Sequence, residues 1–304
     1  MAQKKFNFTD VALITIAHHI HDIYTSFLAR LEPVLLDTFG VNHFLTGLLP
    51  TIQRIPTLLN PFVGILADRI KIRYGVIFAP TVTAISMSLL GIAPTYTFLA
   101  ILLFISGLSS AIFHVPTPVM IKMVSGNKVG RGMSFYMFGG ELARTIGPVI
   151  IIGAIDLWGF ENTFKLIPMG VVSSVILFLR FKDLDLRKNF QRKQTTGDYK
   201  NTLRLFLPVL LIVTGITFTR GAMKSALTYY MAGYFKEMGA SEWIQSIALS
   251  TIYLSGAAGV MFAGTISDYL GRRTSLLLIS VISPVLFWIF ISAGGIFTIP
   301  LLNV

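Results

Sequence analysis

No cysteine occurs in the 304 residues, which excludes a disulfide framework and any thiolate metal centre and leaves the redox compartment unreadable. Charge is scarce as well. Asp, Glu, Lys and Arg make up 13% of the chain, while 54% of residues are hydrophobic, far more apolar side chain than a soluble domain could bury. A net charge of +11 would point a soluble protein toward nucleic acid. Here the positions of the cations carry more information than their sum, and nucleic acid is not an expected partner. What remains is an all-α polytopic membrane protein.

Nine apolar stretches reach the roughly 20 residues that a bilayer core requires, at about 11–38, 44–67, 74–93, 96–123, 131–156, 162–181, 204–235, 243–267 and 274–293. Part of a tenth begins near Ile296 and is cut at Val304. With the N-terminus placed in the cytoplasm, Lys165 and Lys236 fall outside, and Arg30, Arg54, Arg144, Arg220 and Lys224 lie within stretches. All other Lys and Arg residues then sit at inner ends and loops, which by the positive-inside rule predicts a multi-pass protein with a cytoplasmic N-terminus in the inner (plasma) membrane. The first stretch is too long and too polar for a cleaved signal peptide.

The chain reads as one unit written twice. Gly64, Asp68, Arg69, Lys71 and Arg73 form a charged cluster between apolar stretches, and Gly264, Asp268, Gly271, Arg272 and Arg273 repeat it 200 residues later. A small residue lets helices approach, and an aspartate beside a tight turn can hold arginines and backbone amides. The pattern resembles the loop signature of the major facilitator superfamily of secondary transporters. The second copy matches it at every fixed position, whereas Lys71 and Ile72 depart from it in the first. The resemblance implies two six-helix bundles: residues 1–181, a cytoplasmic linker at 182–203, and an incomplete second bundle at 204–304. A twelve-helix carrier needs roughly 400 residues at this spacing, so the chain is expected to be a fragment or truncated, and not to transport by itself. The loop motifs would latch the bundles on the cytoplasmic face.

Within the stretches the polar residues stand out. His18, His21, Asp22, Thr25 and Glu32 share one face of the first helix, and a central Asp costs about 2.5–3.5 kcal/mol on insertion scales. That face is expected to look onto a watery cavity or to pair with neighbouring helices. His18, His21 and Asp22 also have metal-ligand spacing, a weak signal, and no metal or other cofactor is expected. Arg54 lies between Pro50 and Pro56, so the second helix should bend, and Arg54 either pairs with Asp22 or Glu32 or meets a ligand. The third stretch is plain apolar and reads as peripheral. The fourth carries Gly107, Ser110, His114 and Thr117, with His114 either a proton carrier or a satisfied donor. On the fifth, Glu141 and Arg144 stand one turn apart, with Gly139, Gly140, Gly147 and Pro148 permitting close packing and a bend. On the seventh, Arg220 and Lys224 fall on one face, and two like charges buried together need an acidic partner or an anionic ligand.

From Ser106 to Pro148 the resemblance narrows. Phe113-His114, Ser125-Gly126, Gly130, Ser134, Gly139-Gly140 and Gly147-Pro148, with Ser225 and Tyr229-Tyr230 later, are similar to the fosmidomycin resistance protein group of bacterial efflux carriers. That group has Pro-Glu after Phe-His where this chain has Val115-Pro116, so the resemblance implies export without implying that substrate. The expectation is a non-enzymatic, monomeric, proton-coupled exporter of a small anionic or amphipathic compound in contact with membrane lipid. Asp22, Glu141 and His114 are the proton-coupling candidates, and Arg54, Arg144, Arg220 and Lys224 the substrate-binding candidates. A carboxylate held by an arginine releases it on protonation. Import of an organic anion by symport, an intramembrane metal enzyme and a non-transporting sensor remain alternatives.

Overall fold

The computed structural model describes residues 6–60, 62–64, 73–183 and 199–292, and every regular element among them is helical. Helix α1 (Phe8–Phe39) starts where the Asn7 side chain accepts from the amide of Asp10 and stops at Gly40, whose φ of 59° suits a residue without Cβ. Asn42 caps α2 (His43–Arg54) in the same way. That helix gives way to a 3-10 turn at Ile55–Leu59 with Pro56 near its start, because proline offers no amide to continue the ladder. The expected bend is there. Next come α3 (Arg73–Ser88), α4 (Tyr96–His114), α5 (Thr117–Val124), α6 (Val129–Trp158) and α7 (Ile167–Phe181). Pro116 interrupts what the sequence presents as one span, leaving α4 and α5 as two pieces. Then follow α8 (Tyr199–Glu237), α9 (Glu242–Leu270) and α10 (Arg272–Ser292).

Among the described residues, five spans are long and apolar enough to cross a membrane: Arg73–Ile92, Tyr96–Val124, Val129–Trp158, Phe160–Phe181 and Arg204–Glu237. Helix α1 is amply long, about 48 Å at 1.5 Å per residue, but too polar to qualify by composition. Its polar groups face inward instead. Helix α2 is shortened by its break at Pro56, and residues 65–72 lie outside the described residues.

Helix α1 packs most extensively along α6, and also against α3, α7 and α8. Two apolar cores flank its midpoint. One gathers Val11, Ile14 and Ala17 with Phe113, Met120 and Tyr136, and the other Tyr24, Phe27, Leu31 and Leu35 with Leu49, Leu99 and Ile151. Residues 18–22 fall in the gap between them and form a buried polar layer. The α1–α6 approach depends on glycine: a Cβ on Gly147 would stand 1.8 Å from Ser26 Oγ, and one on Gly140 2.6 Å from His18 Cε1.

Helix α3 is not peripheral. Val76, Ile77, Thr83 and Ser86 are buried where it packs against α1, α4 and α7. Thr83 donates to Ser109 of α4, Thr81 to the carbonyl of Gly170 on α7, and Ser86 to the carbonyl of Val82 in its own helix, and a reading by hydropathy passes over them.

Helix α9 packs along α6, and α8 and α9 meet α1 and α2 near the end where α1 finishes. Lys236 Nζ lies 2.6 Å from Asp37, Arg30 reaches Ser246 Oγ at 2.8 Å and Glu242 at 3.2 Å, and the Tyr229 hydroxyl donates to the carbonyl of Thr46 at 2.6 Å. His43 stands between Glu32 at 2.9 Å and Glu237 at 3.7 Å. Along α8, Tyr229, Met231 and Phe235 are buried, whereas Leu205 through Phe218 are exposed.

Candidate functional site

Asp22 is the hub of the polar layer and is 1% exposed. Its Oδ1 lies 3.1 Å from Nδ1 of His21 and 3.2 Å from Nε2 of His114, and its Oδ2 lies 3.3 Å from both Nε2 of His18 and Nη2 of Arg144. Arg144 turns Nη1 to Glu141 at 2.6 Å. One carboxylate is thus surrounded by three imidazoles and a guanidinium shared with a second carboxylate. His114 and Arg144 are each 35% exposed at the side chain and connect this buried group to open space.

That space is a cavity of about 330 Å³, lined by Asp22, Arg54, His114, Arg144, Ser225 and Tyr253 among others. Arg54 enters it where α2 unwinds, and α4 can lie close because Gly107 backs directly onto the carbonyl of Gln53, where a Cβ would be 1.8 Å away. Lys224 sits over the ring of Tyr253 at 5.9 Å and within electrostatic reach of Glu141, Arg144, Arg220 and Arg54. Arg54 and Arg144 line the cavity beside Asp22, with Lys224 of α8 near them and Arg220 beside Lys224, an excess of positive charge suited to an anionic group.

The residues read from the sequence divide as follows. Asp22, His114, Glu141, Arg144 and Arg54 come together at the cavity, with Lys224 at its rim and Arg220 one helical turn before Lys224. Glu32 does not join them. Ten residues on from Asp22, it pairs with His43 and not with Arg54. His19 turns aside to the carbonyl of Gly139 at 2.9 Å. In the second loop motif, Gly271 forms the turn between α9 and α10 at φ 80°, as expected of its glycine. Gly264 and Asp268 lie on the last turns of α9, and Arg272 and Arg273 open α10. The side chains of Asp268 and Arg272 lie outside the described residues, as do Asp68 and Arg69 of the first motif, which runs from Gly64 to Arg73. Most of the linker, residues 184–198, does too.

Sequence reasoning missed Thr83, Ser109, Tyr136 and Tyr253. Thr83 Oγ1 lies 3.0 Å from His21 Nε2, Ser109 backs Thr83, and the ring of Tyr136 stacks on His18 with centroids 3.9 Å apart. A hydroxyl in an apolar run carries no signal until its partner is known.

Donor atoms of His18, Asp22 and His114 all lie within 4.8 Å of one another. Arg144 sits on the same carboxylate, however, and its fixed positive charge opposes a cation there. The arrangement suits proton exchange and recognition of an anion.

The Major Facilitator Superfamily model matches residues 14–304. Over 88% of its length the chain is 22% identical to the fosmidomycin resistance protein of Escherichia coli (strain K12), covering 67% of that protein. It is also 22% identical to the uncharacterized MFS-type transporter YfnC of Bacillus subtilis (strain 168), covering 87% of this chain and 66% of the relative. The multi-drug resistance efflux pump PmrA of Streptococcus pneumoniae is again 22% identical, with coverages of 89% and 70%. The chain thus spans about two thirds of the length of these curated relatives. Its apolar helices, its buried polar centre and this family match agree, and the chain belongs to the major facilitator superfamily.

Proposed function

We propose that this chain forms the greater part of a proton-coupled exporter of a small anionic or amphipathic compound, set in the inner membrane with its N-terminus in the cytoplasm. Residues 1–181 would form one bundle, joined by the linker at 182–203 to the second, which begins at 204. Arg54, Arg144, Arg220 and Lys224 would balance the substrate's negative charge, and Asp22, Glu141 and His114 would carry the proton. The observation that carries the reading is Arg144, held between Asp22 and Glu141 at the wall of the cavity. The loop motifs beginning at Gly64 and Gly264 would latch the bundles on the cytoplasmic face in the opposite conformation. With this orientation, the contacts of Asp37, Glu32 and Arg30 with α8 and α9 close the outer side.

The sign of coupling follows from the same contact. A proton on Asp22 or Glu141 weakens its hold on Arg144 and adds positive charge, so proton and anion favour each other's binding. That favours the second reading, symport of an organic anion. Export by exchange instead requires part of the substrate to compete with the proton, as a cationic end of an amphipathic compound would at Asp22 or Glu141. The export reading draws support from the names of two relatives, a resistance protein and an efflux pump.

Proton flux in vesicles from the full-length gene separates these readings. An outward gradient of an amphipathic compound should draw protons inward under exchange, and an inward gradient of an organic anion should carry protons with it under symport. Flux should vanish in Asp22→Asn or Glu141→Gln. Arg220→Ala and Lys224→Ala leaving transport of every anion unchanged would remove the substrate-charge part of the proposal.

A further inference from the structure

The polarity of the hydrogen bonds around Asp22 can be followed outward to groups that have no choice of role. A backbone carbonyl only accepts. Ser109 gives its single hydroxyl proton to the carbonyl of Ala79 at 3.0 Å. It therefore accepts from Thr83 Oγ1 at 2.9 Å. Thr83, its own proton committed, accepts from Nε2 of His21 at 3.0 Å. His21 thus carries a proton on Nε2, and the nitrogen it turns to Asp22 is Nδ1, 3.1 Å from Oδ1. By the same reasoning Nδ1 of His18 donates to the carbonyl of Tyr136 at 2.8 Å, which leaves Nε2 facing Oδ2 at 3.3 Å. Stacking of His21 on Phe113 and of His18 on Tyr136, at interplanar angles of 7° and 14°, holds both rings in place.

A neutral imidazole has a bare lone pair on its unprotonated nitrogen. With both rings neutral and Asp22 ionised, two lone pairs would face two carboxylate oxygens inside a buried site, an unfavourable pair of contacts. One added proton repairs one contact. Two repair both. His114 differs, because its Nδ1 faces the Tyr136 hydroxyl at 3.3 Å, which can donate, so a neutral His114 donates from Nε2 to Oδ1.

We infer that His18, His21 and Asp22 form a two-proton store, an inference that rests on the proton-coupled reading above and moves the protons held at Asp22 onto the two imidazoles that face it. The exchangeable sites are Nε2 of His18 and Nδ1 of His21. Thr83, Ser109 and Tyr136 are positioning residues that decide which nitrogen is offered, and His114, half-exposed to the cavity, passes protons in and out. Among the described residues, the charged groups facing the unit are Arg144 and Glu141 on α6, with Arg54 on α2 and Lys224 on α8 across the cavity. Helix α3 supplies only the hydroxyl of Thr83, and α4 that of Ser109 besides His114 itself.

The test is solid-state NMR of the full chain in liposomes with 15N-labelled histidine, recorded as the sample is acidified. The expected spectra show neutral rings with the proton on Nδ1 of His18 and on Nε2 of His21, and doubly protonated rings once the added protons are taken up. Thr83→Val removes the acceptor of His21, so its neutral ring should switch to the Nδ1 proton and donate to Asp22. Proton uptake on acidification should then fall by about one per protein, and Thr83→Ser should restore it. A neutral wild-type His18 protonated on Nε2, or a neutral His21 protonated on Nδ1, overturns the inference, as does a Thr83→Val spectrum identical to wild type. Absence of substrate-driven proton flux beside the expected spectra would instead overturn the coupled-transport reading and leave the proton store standing.

Discussion

Arg144 of α6 holds Asp22 of α1 at 3.3 Å with one nitrogen and Glu141 of its own helix at 2.6 Å with another. One guanidinium thereby ties a buried carboxylate to the cavity wall, and the state of either acid is felt by the other through it. Arg144→Gln should lower stability by about 1–3 kcal/mol by leaving two acids without their shared cation. His114 still donates to Asp22, and His18 and His21 can do so once protonated, which keeps the loss moderate. Adding Asp22→Asn should recover part of the melting temperature in detergent and none of the transport. A double variant no more stable than Arg144→Gln alone would show that the contact contributes nothing to the fold.

Glycine on α6 sets how closely α1 can lie. Gly147→Ala should destabilise by about 1–3 kcal/mol through overpacking against Ser26, and Gly140→Ala should impair transport by displacing His18 and Asp22. Gly130 has no atom within 4 Å of an added Cβ, so Gly130→Ala should be silent. Thermal melts of the three variants check the order.

The Asp37–Lys236 pair spans the end of the molecule read above as outer. Because the chain has no cysteine, Asp37→Cys with Lys236→Cys creates a single addressable pair. A short bis-maleimide cross-linker, each of whose rings adds one cysteine thiol, should arrest transport in that double variant and in neither single one. Full activity after complete cross-linking, measured by gel shift, would mean that these helices do not separate during the cycle.

Lys224 stands 5.9 Å over the ring of Tyr253, which lines the cavity, whereas Lys182 lies past the end of α7, away from it. Lys224→Gln should weaken binding of an anionic substrate by about tenfold, roughly 1.4 kcal/mol. Lys182→Gln should leave it unchanged. Titration of a fluorescent anion against each variant reads the difference, and equal affinities would make Lys224 structural.

The sequence by itself determined the class of molecule and most of the cast. Long apolar stretches require a membrane because water cannot accommodate that much exposed hydrocarbon, and the repeated Gly-Asp-Arg clusters led to the superfamily. Asp22, Glu141, Arg144, Arg54 and His114 were legible because a polar group in hydrocarbon is costly and so marks a purpose. The number of spans was less legible, since α1 is too polar to qualify by hydropathy and α2 breaks at Pro56. Only the tertiary structure decided which polar residues meet. It separated Glu32 from Asp22 although both lie on α1, because ten residues carry the chain from the central layer to the closed end. It also brought Thr83, Ser109 and Tyr136 into the site. A hydroxyl or a backbone carbonyl acquires a role only when another helix places a nitrogen within hydrogen-bonding distance, and that distance is a property of packing rather than of any local run of residues.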